Sequence, residues 1–230
     1  MSHAFPWNLP MFNQRIRSAL VGGLIALGLP LTLTSFSARA AVDQTFHFEV
    51  LLDDKPIGEH RFDIDVSGDQ QRVTSQAEFE VDFLFITAYR YRHQSHELFR
   101  NGCLERLSST TNDNGTRYKI GGSAVNNGFR VDRGKDVEQF DGCVKTFAYW
   151  DSTILKQPKL LNPQTGELEA VSVQQRGTEQ VAVNGSEVEA TRFQLITDEL
   201  TIDLWYNDEL GWVRLASDTG KGATLIYRRL

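Results

Sequence analysis

The sequence predicts an all-β protein, an antiparallel sheet curved until it closes into a barrel or half-barrel, with one short helix or lid segment. Three observations carry this reading. From residue 41 onward apolar and polar residues alternate with a period of two, the pattern of strands with one buried face. Asn-Gly occurs four times, at Asn101-Gly102, Asn114-Gly115, Asn127-Gly128 and Asn184-Gly185, and Asp141-Gly142 is a fifth signal of this kind. Such pairs tolerate the positive φ of tight hairpin turns. About a dozen strands joined this way cannot stay flat without exposing edges and an apolar face, so the sheet has to curl.

The elements follow in order. In residues 45–52, Phe46, Phe48, Val50 and Leu52 share one face. After the turn Asp53-Asp54-Lys55-Pro56, His60, Phe62, Ile64 and Val66 form the apolar face of a second strand, and Val73, Ser75, Ala77, Phe79 and Val81 that of a third. These three belong to one curved sheet. Further strands are expected at 87–99, 103–112, 116–126, 128–133, 168–175, 187–197, 200–207, 210–217 and 222–229. Residues 147–157 break the rhythm: Phe147, Trp150, Ile154 and Leu155 recur at helical spacing, which suggests a short helix or a lid. Residues 160–166 read as a turn into the last strands. There is no repeat, low-complexity tract or linker long enough to divide residues 41–230, which form a single barrel-like domain.

Residues 1–40 are different in kind. They hold no acid, a positive region at Arg15 and Arg17, an apolar run over residues 18–34, and small residues at Ala38 and Ala40. This is the pattern of a cleaved signal peptide, with cleavage after Ala40 and a periplasmic destination. The run is short for a membrane span and Pro30 interrupts it, so the chain does not span the membrane after cleavage. Removing residues 1–40 takes away three arginines and no acid, leaving 21 basic against 30 acidic residues, a net charge of −9. Such a surface excludes nucleic acid, whose affinity rests on Lys and Arg neutralising phosphates. The only cysteines, Cys103 and Cys143, lack CxxC spacing and neighbouring Met or His ligands. In an oxidising compartment they are expected to form a disulfide closing a loop of about 40 residues, worth about 3–4 kcal/mol in the chain-entropy model.

Several segments carry a resemblance: Lys55-Pro56-Ile57-Gly58, Ala88-Tyr89-Arg90-Tyr91-Arg92-His93, Asn101-Gly102-Cys103-Leu104, Asn112-Asp113-Asn114-Gly115, Tyr149-Trp150-Asp151, residues 160–166, and Leu204-Trp205-Tyr206. Together they resemble a family of secreted bacterial proteins known as a domain of unknown function. The resemblance implies a periplasmic, curved-sheet protein similar in outline to lipocalin-like and lipoprotein-carrier-like folds, and brings no catalytic residues.

The residues themselves supply no catalytic or metal constellation and call for no cofactor. His93 and His96 have HxxH spacing, but a strand points residues three apart to opposite faces, so they do not share a metal. No G-x-S-x-G elbow occurs. Trp150, Trp205, Tyr206 and Trp212, with Tyr89 and Tyr91, are either core filler or the lining of an apolar pocket covered by residues 147–157. The ligand-binding candidates are His60, Tyr89, Arg90, Tyr91, His93, Trp150, Asp151 and Trp205. His60, His93 and Arg90 are the expected polar fixtures, and a buried Asp151 needs a partner such as Arg90 or His93. The function that follows is a periplasmic binding or carrier protein for an apolar or amphipathic small molecule, possible lipids included. The alternatives are an envelope interaction module contacting another envelope protein and, third, a hydrolase or isomerase assembled only in three dimensions.

Overall fold

The structure, a computed structural model, describes residues 42–83, 86–219 and 222–230. The expected leader and its cleavage point lie outside the described residues. Eight strands come first: β1 (Val42–Leu52), β2 (Lys55–Ser67), β3 (Gln70–Phe83), β4 (Ile86–Arg100), β5 (Cys103–Asp113), β6 (Thr116–Val125), β7 (Gly128–Asp132) and β8 (Val137–Asp141). A connecting stretch holds a 3-10 helix (Ser152–Lys156) and the short hairpin β9 (Lys159–Leu161) and β10 (Leu168–Ala170). Five more strands follow: β11 (Ser172–Val183), β12 (Ser186–Ile196), β13 (Thr201–Asn207), β14 (Gly211–Asp218) and β15 (Thr224–Arg229).

Thirteen strands make one antiparallel sheet in the order β11-β12-β13-β14-β15-β1-β2-β3-β4-β5-β6-β7-β8. The chain therefore starts in the middle, winds out to one end as a meander, crosses to the other end, and winds back until β15 pairs with β1. Among the described residues the end strands β8 and β11 are not paired with each other, so the sheet curls as an open rather than a sealed barrel. Asn101-Gly102, Asn114-Gly115 and Asn184-Gly185 each have positive φ at both residues and close hairpins, as their chemistry requires. Asp141-Gly142 is not a hairpin: Gly142 ends β8 and turns the chain toward Cys143.

Two of the sheet's register faults decide which side chains of β14 and β11 face inward. Tyr206 pairs with Trp212 but Trp205 with Arg214, so Val213 is an extra residue in β14. A bulge of this kind reverses the alternation. Trp212 and Leu215 consequently both face the main core, and Val213 turns out. In β11, Gln175 pairs with Phe193 and Gly177 with Arg192, leaving Arg176 unmatched. Val173 accordingly packs on the main core, whereas Val181 and Val183 pack on a second, smaller core with Ala190, Trp205 and Val213.

The main core fills the concave side. Trp212 is fully buried there, with ring centroids 4.2 Å from Phe48, 5.4 Å from Phe62 and 5.5 Å from Tyr149. Cys103 and Cys143 are bonded, Cα to Cα 5.1 Å, tying the start of β5 to the chain leaving β8; beside them the Leu104 amide donates to the Val144 carbonyl at 2.8 Å. β8 and β9 were not anticipated by the alternation, and the strand expected over 168–175 divides into β10 and β11.

Candidate functional site

The register lines up inward residues of β1 to β5 in rows across the sheet. One row is Phe48, His60, Ala77, His93 and Thr111. The next is Phe46, Phe62, Ser75, Ser95 and Ser109. His60 is stacked on Phe62 at 4.0 Å, its Nδ1 lies 3.1 Å from the Tyr227 hydroxyl and its Nε2 2.7 Å from Ser75 Oγ. His93 Nδ1 lies 2.7 Å from Thr111 Oγ1. Hydroxyls give or accept one proton and serve a neutral imidazole well, but they offset little of the cost of a buried charge. Burial, and for His60 also the nearby His93, holds both rings below the ordinary histidine range, His93 at about 3.

Ser75, His60 and Tyr227 resemble a nucleophile, base and orienting group in sequence of contacts. A general base works best with a pKa near the ambient pH, and His60 is displaced well below it. Ser75 is itself buried. The array is therefore suited to holding three strands together and poorly suited to taking a proton.

The connecting stretch lies within the concave side, not over its mouth. Val144, Thr146, Ala148, Ile154, Leu160, Leu161 and Thr165 are all buried. The row of three serines is low enough for the chain to approach, and Ser109 donates to the Pro163 carbonyl. Glu97 accepts from Thr146 at 2.7 Å and from Ser95 at 3.0 Å; burial raises its carboxyl pKa and these bonds offset part of the rise. Tyr91 donates to Gln164 at 3.4 Å and Tyr206 to the Tyr149 carbonyl at 2.7 Å. The inward polar groups are thus engaged with one another and with the crossing chain.

The expected site residues accordingly separate. His60, Tyr91 and His93 come together in the interior. Tyr89, half-buried, joins them at one end, its hydroxyl pKa raised by burial and by Asp113. Trp150 sits on the crossing chain, edge-on to Phe99 at 5.6 Å. Three expectations are corrected. Arg90 is on the outer face, bonded to Glu80 at 2.8 Å, because it alternates with Tyr89 and Tyr91. Asp151 pairs with Lys145 at 2.8 Å and caps the 3-10 helix through Thr153, instead of meeting Arg90 or His93. Burial pushes its carboxyl up, but the bonds from Lys145 and Thr153 outweigh that and leave it below the ordinary range. Trp205 belongs to the second core, on the opposite side of the sheet from Tyr206.

That outer side has a row of its own: Arg192, Trp205, Arg214, Arg228 and Glu49 stand opposite one another on β12, β13, β14, β15 and β1. The Arg192 and Arg214 guanidinium carbons lie 5.3 Å and 5.0 Å from the Trp205 ring centroid. Arg192 is bonded to Asp203 and Glu179, and Arg228 to Glu49. Among the described residues Arg214 makes no ion pair, and its buried Nε has no hydrogen-bond partner; neither has Trp205 Nε1. Beside this row is a groove of about 190 Å³ lined by Leu51, Asp54, Val181, Ala182, Val213, Arg214, Ile226 and Arg228. Sequence reasoning missed these arginines, which only the pairing of β14 with β15 sets opposite each other.

Fold and surface together define a class: a barrel-like antiparallel β protein wound from the middle of its sheet, its concave side taken up by its own connecting chain. Within that class, the chain belongs to the family described as domain of unknown function DUF6134, which it matches over residues 48–230. Among solved structures it is similar to a β-barrel-like protein of domain of unknown function DUF1849 from Brucella abortus, with 11% identity, a TM-score of 0.61, and coverage of 84% of this chain and 98% of that one. At this identity the likeness establishes the fold alone. No curated protein matches.

Proposed function

We propose that the protein is exported to the periplasm and works there as a binding or carrier protein, not an enzyme, for an apolar or amphipathic small molecule held on the outer side of the sheet. The observation that carries this reading is the outer groove, where the apolar side chains of Leu51, Val181, Val213 and Ile226 meet Arg214, a cation with no acid partner among the described residues. Binding sites are typically concave and apolar with a few placed polar groups. The concave side, where a lipocalin-like carrier would hold its ligand, supports the reading by contrast, since residues of the crossing chain occupy it. Native mass spectrometry of protein taken from its own periplasm is expected to show an adduct of small-molecule mass that is lost on mild denaturation. Only the bare chain mass under gentle conditions would count against the reading. A second reading, an envelope interaction module, draws on the unpaired edges of β8 and β11. Bare mass together with a discrete protein cross-link at either edge would favour it.

A further inference from the structure

Resting on that reading, we infer that the groove takes an aliphatic carboxylate, with its head group between Arg214 and Arg228 and its chain along Leu51, Val181, Val213 and Ile226. Like charges directly opposite on neighbouring strands repel, and Arg214 stands opposite Arg228. Arg228 has Glu49 on its other side, which uses its Nε and one terminal nitrogen. Arg214 has the Trp205 ring on its own other side, and a ring supplies a face for the cation but no acceptor for the buried Nε–H. A buried donor of this kind normally finds a partner.

The missing chemistry is one negative charge beside two cations. A carboxylate supplies it, since its two oxygens fit the planar donor fork of a guanidinium. A neutral acceptor would leave the repulsion between the two arginines. Asp54, also on the groove, opposes a second negative charge on the ligand and so favours a monoanion over a phosphate dianion. The groove's 190 Å³ takes roughly six heavy atoms at about 30 Å³ each, a short chain or the first part of a longer one. Val181 and Val213 belong both to this groove and to the core around Trp205, so the wall is anchored on packed residues.

The test uses the protein purified from the periplasm and stripped of bound material, titrated calorimetrically with octanoate. Saturable binding at one site is expected, weakened at least about tenfold in Arg214→Gln and less in Arg214→Lys, as a charge-assisted head-group contact requires. Tyr91→Phe, in the interior, is expected to bind as the unchanged protein does, and octylamine not to bind. Circular dichroism confirms that each variant is folded. Equal affinity in a folded Arg214→Gln protein, equal binding of octylamine, or absence of saturable octanoate binding would each overturn the carboxylate assignment. If octanoate fails while the cellular protein still carries an adduct of another class, the assignment falls and the binding reading stands. If neither is found, both fall.

Discussion

Trp212→Ala is expected to destabilise the protein by about 3–5 kcal/mol, the range for deleting a large aromatic from a packed core. Trp212 is fully buried between strands that are distant in sequence: Phe46 and Phe48 on β1, Phe62 on β2, Tyr227 on β15 and Tyr149 on the crossing chain all have rings within 6.2 Å of it. Its Nε1 donates to the Arg214 carbonyl at 2.9 Å, so truncation also releases a hydrogen bond. Trp212→Phe and Trp205→Phe form the matched pair. Both keep a ring, but only the first breaks an indole hydrogen bond, whereas the Trp205 indole N–H has no partner, so the larger loss is expected at Trp212. Urea unfolding measures all three variants. Equal losses in the pair would mean that the two cores do not differ as described.

Acidification is expected to have the other large effect. His60 and His93 have folded pKa values below their ordinary value, chiefly because burial disfavours the charged imidazolium. The unfolded chain then binds protons that the folded chain refuses. Their contribution to stability is complete above about pH 6.5 and is lost as pH falls towards 3, at a rate of at most about 1.4 kcal/mol per pH unit for each histidine. The hydroxyls of Ser75 and Tyr227 face His60 and that of Thr111 faces His93, and hydroxyls offset little of the cost of a buried charge. Glu97 acts in the opposite direction: its raised pKa makes the folded state take up a proton first, which returns some stability once the pH falls into the carboxylate range. Urea midpoints between pH 8 and pH 4 are expected to fall steeply below pH 6.5, and His93→Gln, which keeps a polar group beside Thr111, to flatten the slope. An unchanged slope in that variant would remove His93 from the explanation.

Much of the fold is legible because its causes are local. The alternation in β1 to β3 and the positive-φ turns at Asn101-Gly102, Asn114-Gly115 and Asn184-Gly185 depend on a few neighbouring residues and appear where the sequence places them, whereas Asn127-Gly128 has no positive φ and its hairpin turns on Asn126 and Asn127. The same alternation sends Arg90 outward and separates Trp205 from Tyr206; treating them as members of one inward group disregarded the period of two. β8 was illegible because Val137–Asp141 is an exposed edge strand with only Phe140 packed against the core. The reversal at Val213 was illegible for another reason. A bulge has no fixed residue signature, and only the pairing of Trp205 with Arg214 and Tyr206 with Trp212 reveals it. The path of the crossing chain is a non-local matter: its helical spacing was seen, but nothing in residues 147–157 tells a lid from a filler. What decides it is the row Ser75, Ser95 and Ser109, three small residues on separate strands that leave room for Pro163.

The central claim, that the ligand is held on the outer side and not within the curl of the sheet, can be read from three indole N–H resonances. From residue 41 onward the chain has only Trp150, Trp205 and Trp212. Trp150 and Trp212 belong to the concave core, and Trp205 to the core behind the groove. In a ¹⁵N-resolved titration with octanoate, the Trp205 indole signal is expected to shift saturably while those of Trp150 and Trp212 stay in place. Saturable shifts at Trp150 and Trp212 with Trp205 unmoved would place the ligand inside the sheet and contradict the account.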